Sequence, residues 1–285
     1  MKNFTKVFVF ILLMISQLSF SQSSKEESLL WRITGDKISE PSYLFGTIHI
    51  ICKDDIKINA AEAKAFSEAK KIYLELDLDS PELIEEMQAS TRSKTHLKNH
   101  ISAKGYDEID DFFSHQLGYS MEAVSMVKPY YLLSYTYKPS IGCENPISIE
   151  ELLVSEAGFQ KKEILGLETL KQQTEVFDNL NARKQARLLL RQVRRRHLIR
   201  DTYSEILDLY QHGSISLLNK KIVNSPSRRL NRKLLRKRNQ AWIDNLTEVL
   251  PNQSNFIAVG AAHLGGRKGL VNQLRKDGYT VEAVK

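Results

Sequence analysis

Apolar residues fall in short dense blocks near the two ends of the chain and at helical spacing in between. SLLWRITG, ending at Gly35, and SYLFGTIHI, residues 42–50, are runs of strand length, and the polar GDKISEPS between them predicts a hairpin. Ala61, Ala65, Phe66 and Ala69 recur at helical intervals and predict a helix over Asn59 to Lys70. KKIYLELDLD alternates instead, so that Ile72, Leu74, Leu76 and Leu78 share one strand face and Tyr73, Glu75 and Asp77 the other. Residues 81–138 read as mostly helical, interrupted at Gly105-Tyr106. SIEELLVSEAGF opens with a capping box, Ser148 with Glu151 three residues on, and stops at Gly158. KKEILGLETL gives a short strand with Glu168 beyond it, and Lys171 to Leu250 is helical again. The closing NFIAVGAAHLGGRKGLVNQLRKDGYTVEAV reads as strand, glycine-rich turn, helix and strand. The pattern predicts a mixed α/β fold, a core of β-strands surrounded by helices with a mainly helical middle region.

One unit occurs twice. SYLFGTIHI and FIAVGAAHL each run from a strand through a glycine (Gly46, Gly260) and two further residues to a histidine (His49, His263), and the histidines are 214 residues apart. That distance excludes a solenoid repeat and suits two halves facing one site. Two neutral imidazoles and one carboxylate form a common metal-ligand set that leaves a position open for water or substrate. A metal so held lowers the pKa of its water and polarises a carbonyl, as hydrolysis requires. By spacing alone, two hydrogen-bonded structural histidines at strand ends remain the plainer explanation.

Composition adds bounds. Of 285 residues, 42% are hydrophobic and 26% charged, ordinary for a globular protein. Lys2 and Lys6 precede an apolar run from Val7 to Ile15 and a small-x-small site at Ser19-Phe20-Ser21. This predicts a cleaved signal peptide over residues 1–21, against the alternative of an uncleaved anchor, followed by a polar linker over 22–28. The expectation is an exported, periplasmic or extracellular protein. Residues 29–285 then form one domain, with helical insertions at about 81–138 and 171–250. Export would place Cys52 and Cys143 in an oxidising compartment, where an even count suggests pairing, and two separate buried thiols are the alternative.

The net charge of +7 falls to +5 without Lys2 and Lys6, and the excess is concentrated. Residues 183–200 hold eight Lys or Arg and no acid, and residues 228–238 hold seven more. Leucines at helical spacing in both make them amphipathic helices with basic outer faces, either solvated or in contact with an anionic envelope lipid or polysaccharide. For an exported chain, nucleic acid is not an expected partner.

The segments LLWRITG, SYLFGTIHI, IYLELDL, EILGLET, the pair Arg238-Asn239 and FIAVGAAHLGGRKGLVNQLRKDGYTV, in this order, resemble the TraB/GumN (TraB/PrgY/GumN) family, whose animal relatives are the Tiki proteins. The resemblance runs from Leu29 to Val284 and is strongest at the two ends. It implies an exported or membrane-tethered protein with a fold related to the haem-binding ChaN and erythromycin-esterase proteins. For the Tiki branch it implies a metal-dependent peptidase supported by manganese or cobalt rather than zinc. Matched by motif, the resemblance makes His49 and His263 metal ligands and Glu75 the third ligand or the general base. It has Glu168 orient a histidine, and Arg238 with Asn239 hold the substrate or a developing oxyanion. Where many relatives carry Gly-x-Asp, this chain has GCEN, and either Glu144 replaces that acid or the position is structural.

Other candidates compete. His96 and His100 are four apart on a predicted helix but lack the glutamate of HExxH. Asp77 shares the strand face of Glu75 and is the nearest substitute ligand, with Asp79 beyond it. His115, His197 and His212 sit in polar helical contexts and read as surface residues. Three functions follow: a metallohydrolase acting on a peptide or protein, a non-catalytic binder of haem, metal or peptide, and an envelope protein holding anionic polymer or lipid. A second copy of the chain is a further candidate partner.

Overall fold

The computed structural model describes residues 26–225 and 228–285; the expected signal peptide and residues 22–25 of the linker lie outside them. The amino-terminal hairpin forms as predicted from β1 (Leu30–Thr34) and β2 (Ser42–Thr47). Then come α1 (Ala60–Glu68), capped by a box between Asn59 and Glu62, and β3 (Lys71–Leu74). The middle carries α2 (Pro81–Thr91), α3 (Ala103–Leu117), α4 (Met121–Val124), α5 (Pro129–Tyr135) and α6 (Ile149–Gln160). After β4 (Glu163–Gly166) five helices follow: α7 (Leu170–Asp178), α8 (Ala182–Arg194), α9 (Ile199–Gln211), α10 (Ile215–Asn224) and α11 (Arg228–Val249). β5 (Asn255–Gly260), α12 (Leu270–Lys276) and β6 (Thr280–Val284) close the chain.

The strands make one mixed sheet in the order β4-β3-β5-β2-β1-β6. Its first four strands run parallel, and β1 joins β2 and β6 antiparallel. Strand alternation divides two cores. Leu30, Phe45, Ile72, Phe256 and Ala258 face one side, with α1 and α6, whereas Trp31, Leu44, Ile257 and Val259 face the other, with α11 and α12. Both faces are covered, as parallel strands require, so β2 and β5 read as near-continuous apolar runs. The helical middle has a separate core in which Phe112 and Phe113 of α3 and Leu132 of α5 pack on Leu189 and Val193 of α8.

Three local expectations change. β3 ends at Leu74, so Glu75 sits in the bend after the strand, and Leu78 is 37% exposed instead of continuing an apolar face. Gly105 does not break the helix: it lies within α3, where a Cβ would stand 3.0 Å from Ile101 and from Leu190, so its bareness lets α8 approach. α6 passes Gly158 and ends at Gln160, with Lys161 in the left-handed conformation. Among the described residues no helix is long and apolar enough to cross a membrane.

Candidate functional site

The two glycine-histidine units are neighbours in space. β2 and β5 pair in parallel with Gly46 opposite Val259 and Thr47 opposite Gly260, so both histidines leave the sheet at the same edge. Glu75 follows β3, the other neighbour of β5. Beyond the strands the ladder continues, with Leu167 N donating to Leu74 O at 2.8 Å and Glu168 N to Glu75 O at 3.1 Å. Gly166 permits this approach, since a Cβ there would lie 2.9 Å from Asp77 N. Four adjacent parallel strands thus deliver His49, His263, Glu75 and Glu168 at their carboxyl ends, the usual ligand-binding edge of such sheets.

The two imidazoles are tethered by the same nitrogen to different partners. His49 Nδ1 lies 2.8 Å from Glu150 Oε1, and Thr47 Oγ1 donates to that same oxygen. His263 Nδ1 meets Asn239 Oδ1. Asn239 Nδ2 donates to the carbonyls of His263, at 3.0 Å, and Lys268, at 2.9 Å, which fixes Oδ1 as an acceptor and places a proton on His263 Nδ1. The Nε2 atoms are left for the interior of the site. A Cβ on Gly260 would be 3.5 Å from His49 Nε2, 3.4 Å from Glu75 Oε1 and 3.7 Å from His263 Cδ2, so three groups from three strands border one small space.

Arg238, from α11, is the nearest cation. Its guanidinium pairs with Glu75, donates from Nε to Glu168 at 2.8 Å, stands over Trp242 at 4.6 Å and comes within 3.4 Å of His263 Nε2. The side chains of Arg238, Glu75 and Glu168 are 11%, 8% and 3% exposed, so the triad is largely buried. Glu75 also accepts from Gly260 N at 2.9 Å and from Gln173.

These charges separate the ionisation states. Burial works against the Glu75 carboxylate, but Arg238 and the histidines hold it well below the usual range. Burial lifts Glu168 above its ordinary value despite Arg238. His263 is pushed down to about 3, by burial and then by Arg238, and is a neutral imidazole at physiological pH. Enclosure by protein works against a charge on His49, yet Glu150 and Glu75 push it up to about 9. Its side chain is 65% exposed at the site's mouth, so solvent screens these contributions more than at His263.

The cavity above these groups holds about 470 Å³, and His49, Arg238 and His263 are among its lining residues. Ile206, Leu218, Ile222 and Leu234 add apolar side chains to its lining.

The structure rearranges several expected roles. The set His49, His263 and Glu75 surrounds one space, but among the described residues no three His, Cys, Asp or Glu side chains form a group that could hold a metal ion. The Glu75 carboxylate is instead paired with Arg238. The donors nonetheless suit a divalent cation in kind: two imidazoles with anchored Nδ1 atoms and a carboxylate oxygen beside their Nε2 edge. Asn239 is buried, with its amide bonded to His263 and to the Lys268 carbonyl, and it is not among the residues lining the cavity. Glu168 touches Arg238, not a histidine. Glu144 borders a different cavity beside Cys143.

Glu150 was hidden in the sequence as an ordinary acid in the first turn of a capped helix. It reaches His49 because Ile51 bridges Ile147 and Ile149 N donates to Ile48 O at 3.2 Å, laying the start of α6 along the loop after β2. A Cys52–Cys143 disulfide, with Cα atoms 5.8 Å apart, fastens the same two segments. Trp242 was also missed; its ring lies 4.5 Å from that of His263. The rival histidines lie elsewhere. His96 caps the 3-10 turn Leu97–His100 and pairs with Glu122, while His100 bonds Thr95, so the two do not share a helix face. His115 and His212 bond back to their own helices, and His197 is exposed.

Residues 29–283 match the TraB/PrgY/gumN family. Over 90% of its length the chain is 23% identical to "Metalloprotease TIKI2" of Danio rerio, covering 60% of that protein. Over 92% of its length it is 24% identical to "Metalloprotease TIKI1" of Homo sapiens, covering 63% of it. The chain thus spans about three-fifths of the length of these relatives. No solved structure matches it at comparable significance.

Proposed function

Because the chain belongs to the TraB/PrgY/gumN family, we propose that it is an exported metal-dependent hydrolase that cleaves peptide bonds. The observation that carries this reading is that His49 and His263 both border the space beside Gly260, each with Nδ1 tied back to a partner of its own. His49 and His263 would hold a divalent cation, manganese or cobalt before zinc, and Glu75 would complete the set through Oε1. Such an ion supplies Lewis acidity toward an amide carbonyl and an acidified water.

The chain's own residues do the remaining work. Glu150 and Asn239 fix the ring planes, which metal-ligating histidines require. Arg238, already turned toward Glu75 and His263, keeps a positive charge beside the reacting carbonyl and donates to the oxygen as it gains charge. Glu75 is held ionised by Arg238 and the histidines, so it would serve by its charge, as the oxygen donor beside the two imidazoles. The apolar side chains lining the cavity would seat an apolar part of the substrate.

The test is metal analysis of the mature protein alongside His49→Ala and His263→Ala, with hydrolysis of a mixed peptide library followed by mass spectrometry. Both variants are expected to lose metal and turnover together. A wild-type chain that takes up no divalent metal after reconstitution sinks the proposal, whereas stoichiometric metal without turnover leaves a binding protein.

A further inference from the structure

The two basic segments meet at one place that the site described above does not use. α8 and the first turns of α11 flank an open cleft of about 740 Å³. Lys184, Arg187, Arg228, Arg229 and Lys233 line it. Each has an ordinary exposed side chain with no ion pair to any acid among the described residues. The acids nearest along the chain are already spent, Glu175 on Lys237 and Asp178 on Lys128. Five uncompensated cations around one concavity repel one another, and an anion between them relieves that repulsion. A merely solvated basic face would not need a cleft or an apolar floor, and this cleft has one, from the half-buried Leu180, Leu188 and Leu230.

We infer that this cleft binds an anionic phospholipid at a membrane surface, with the phosphate among the five cations and the upper part of an acyl chain on the three leucines. The apolar floor favours an amphiphile over a polysaccharide, which offers no hydrocarbon. α11 divides its surface between the two sites: Asn231, Leu234, Leu235 and Arg238 face the histidine cavity, and Arg229, Leu230 and Lys233 face the cleft. A chain seated on lipid through the cleft would therefore carry the histidine cavity close to the bilayer.

The test is flotation of the purified mature protein with vesicles of phosphatidylcholine alone or mixed with phosphatidylglycerol, at low and high salt. Binding is expected only to the anionic vesicles and is expected to collapse at high salt. In the triple variant Arg187→Glu, Arg229→Glu, Lys233→Glu the vesicle affinity should fall at least about a hundredfold, each charge near an anionic surface contributing about fivefold. An unchanged thermal midpoint, together with wild-type binding in a control carrying Lys64→Glu on α1, ties the loss to the cleft. Leu188→Ser with Leu230→Ser should weaken vesicle binding while keeping its salt dependence. No binding to anionic vesicles, equal binding by the triple variant, or binding to soluble heparin without binding to vesicles would each overturn the inference.

Discussion

Glu150 Oε1 lies 2.8 Å from His49 Nδ1, although the two residues come from a helix and a strand-end loop that are 101 positions apart. The contact gives His49 a fixed ring orientation and a raised affinity for protons.

Glu150→Gln should lower metal affinity by roughly 10- to 100-fold, as loss of a carboxylate behind a ligating imidazole does elsewhere. It should also change how stability depends on pH in the metal-free protein. His49 is raised from 6.5 to about 9, so its contribution is whole below about 6.5 and is lost as the pH rises through about 9. Thermal midpoints measured across that window should fall for wild type and stay level for Glu150→Gln. A wild-type curve already level there removes the assigned charge state.

The two motif glycines should respond oppositely to alanine. A Cβ on Gly46 would lie 2.9 Å from Leu264 Cδ1 and 3.1 Å from Ala261 Cα, so Gly46→Ala should destabilise by about 1–3 kcal/mol. At Gly260 the nearest atoms are 3.4 Å or more away and φ is −49°, so Gly260→Ala should fold with little loss. Its methyl would instead occupy the space between Glu75, His49 and His263, and metal uptake should fail. Denaturant midpoints and metal analysis on the same preparations separate the two effects.

Arg238→Met should be among the most damaging single changes outside the cores, at about 3–5 kcal/mol, because it strands two buried carboxylates. Adding Glu168→Gln should restore part of the loss, since one of the stranded charges is then gone. A double variant no more stable than Arg238→Met argues against the triad as a coupled unit.

Replacing Cys52 and Cys143 by serine should lower stability by about 4.6 kcal/mol in a chain-entropy account, because the bridge spans 91 positions. The fastened segments carry His49 and Glu150, so imidazole NMR of the reduced or substituted protein should show the His49 resonance moving toward an ordinary pKa. A shift in stability alone would mean that the Ile51–Ile147 bridge suffices to hold the contact.

Lys162 closes the carboxyl end of α1. Its ammonium donates to the carbonyls of Phe66, at 2.6 Å, Ser67, at 2.7 Å, and Ala69, and stands 5.4 Å from the Phe66 ring. Lys162→Met leaves those carbonyls unmet and should cost about 1–3 kcal/mol in urea unfolding. The conservative Lys162→Arg should recover most of it.

What could be read from the sequence follows from how local each signal is. The apolar runs of β2 and β5, the capping box at Ser148 and the final strand-turn-helix-strand need only neighbours along the chain, and they fold as their patterns indicate. Glu75 was found, but alternation placed it within a strand that ends one residue earlier, because the bend toward Arg238 and Gly260 depends on partners far away. The roles of Asn239 and Glu168 depend on which side chain each meets across 24 and 70 positions, which no spacing records. Glu150 was missed for the same reason, its partner being 101 positions upstream.

The sheet order also says something about time. β5 lies between β3 and β2, so a strand in the middle of the sheet is synthesised after every strand that flanks it. Until it emerges, β4-β3 and β2-β1 are separate pairs with exposed apolar edges, and one histidine of the two does not yet exist. The protein therefore cannot assemble its site on a partly made chain, and a nick that frees the segment after residue 250 would remove the fold's centre and the site's second half in one event.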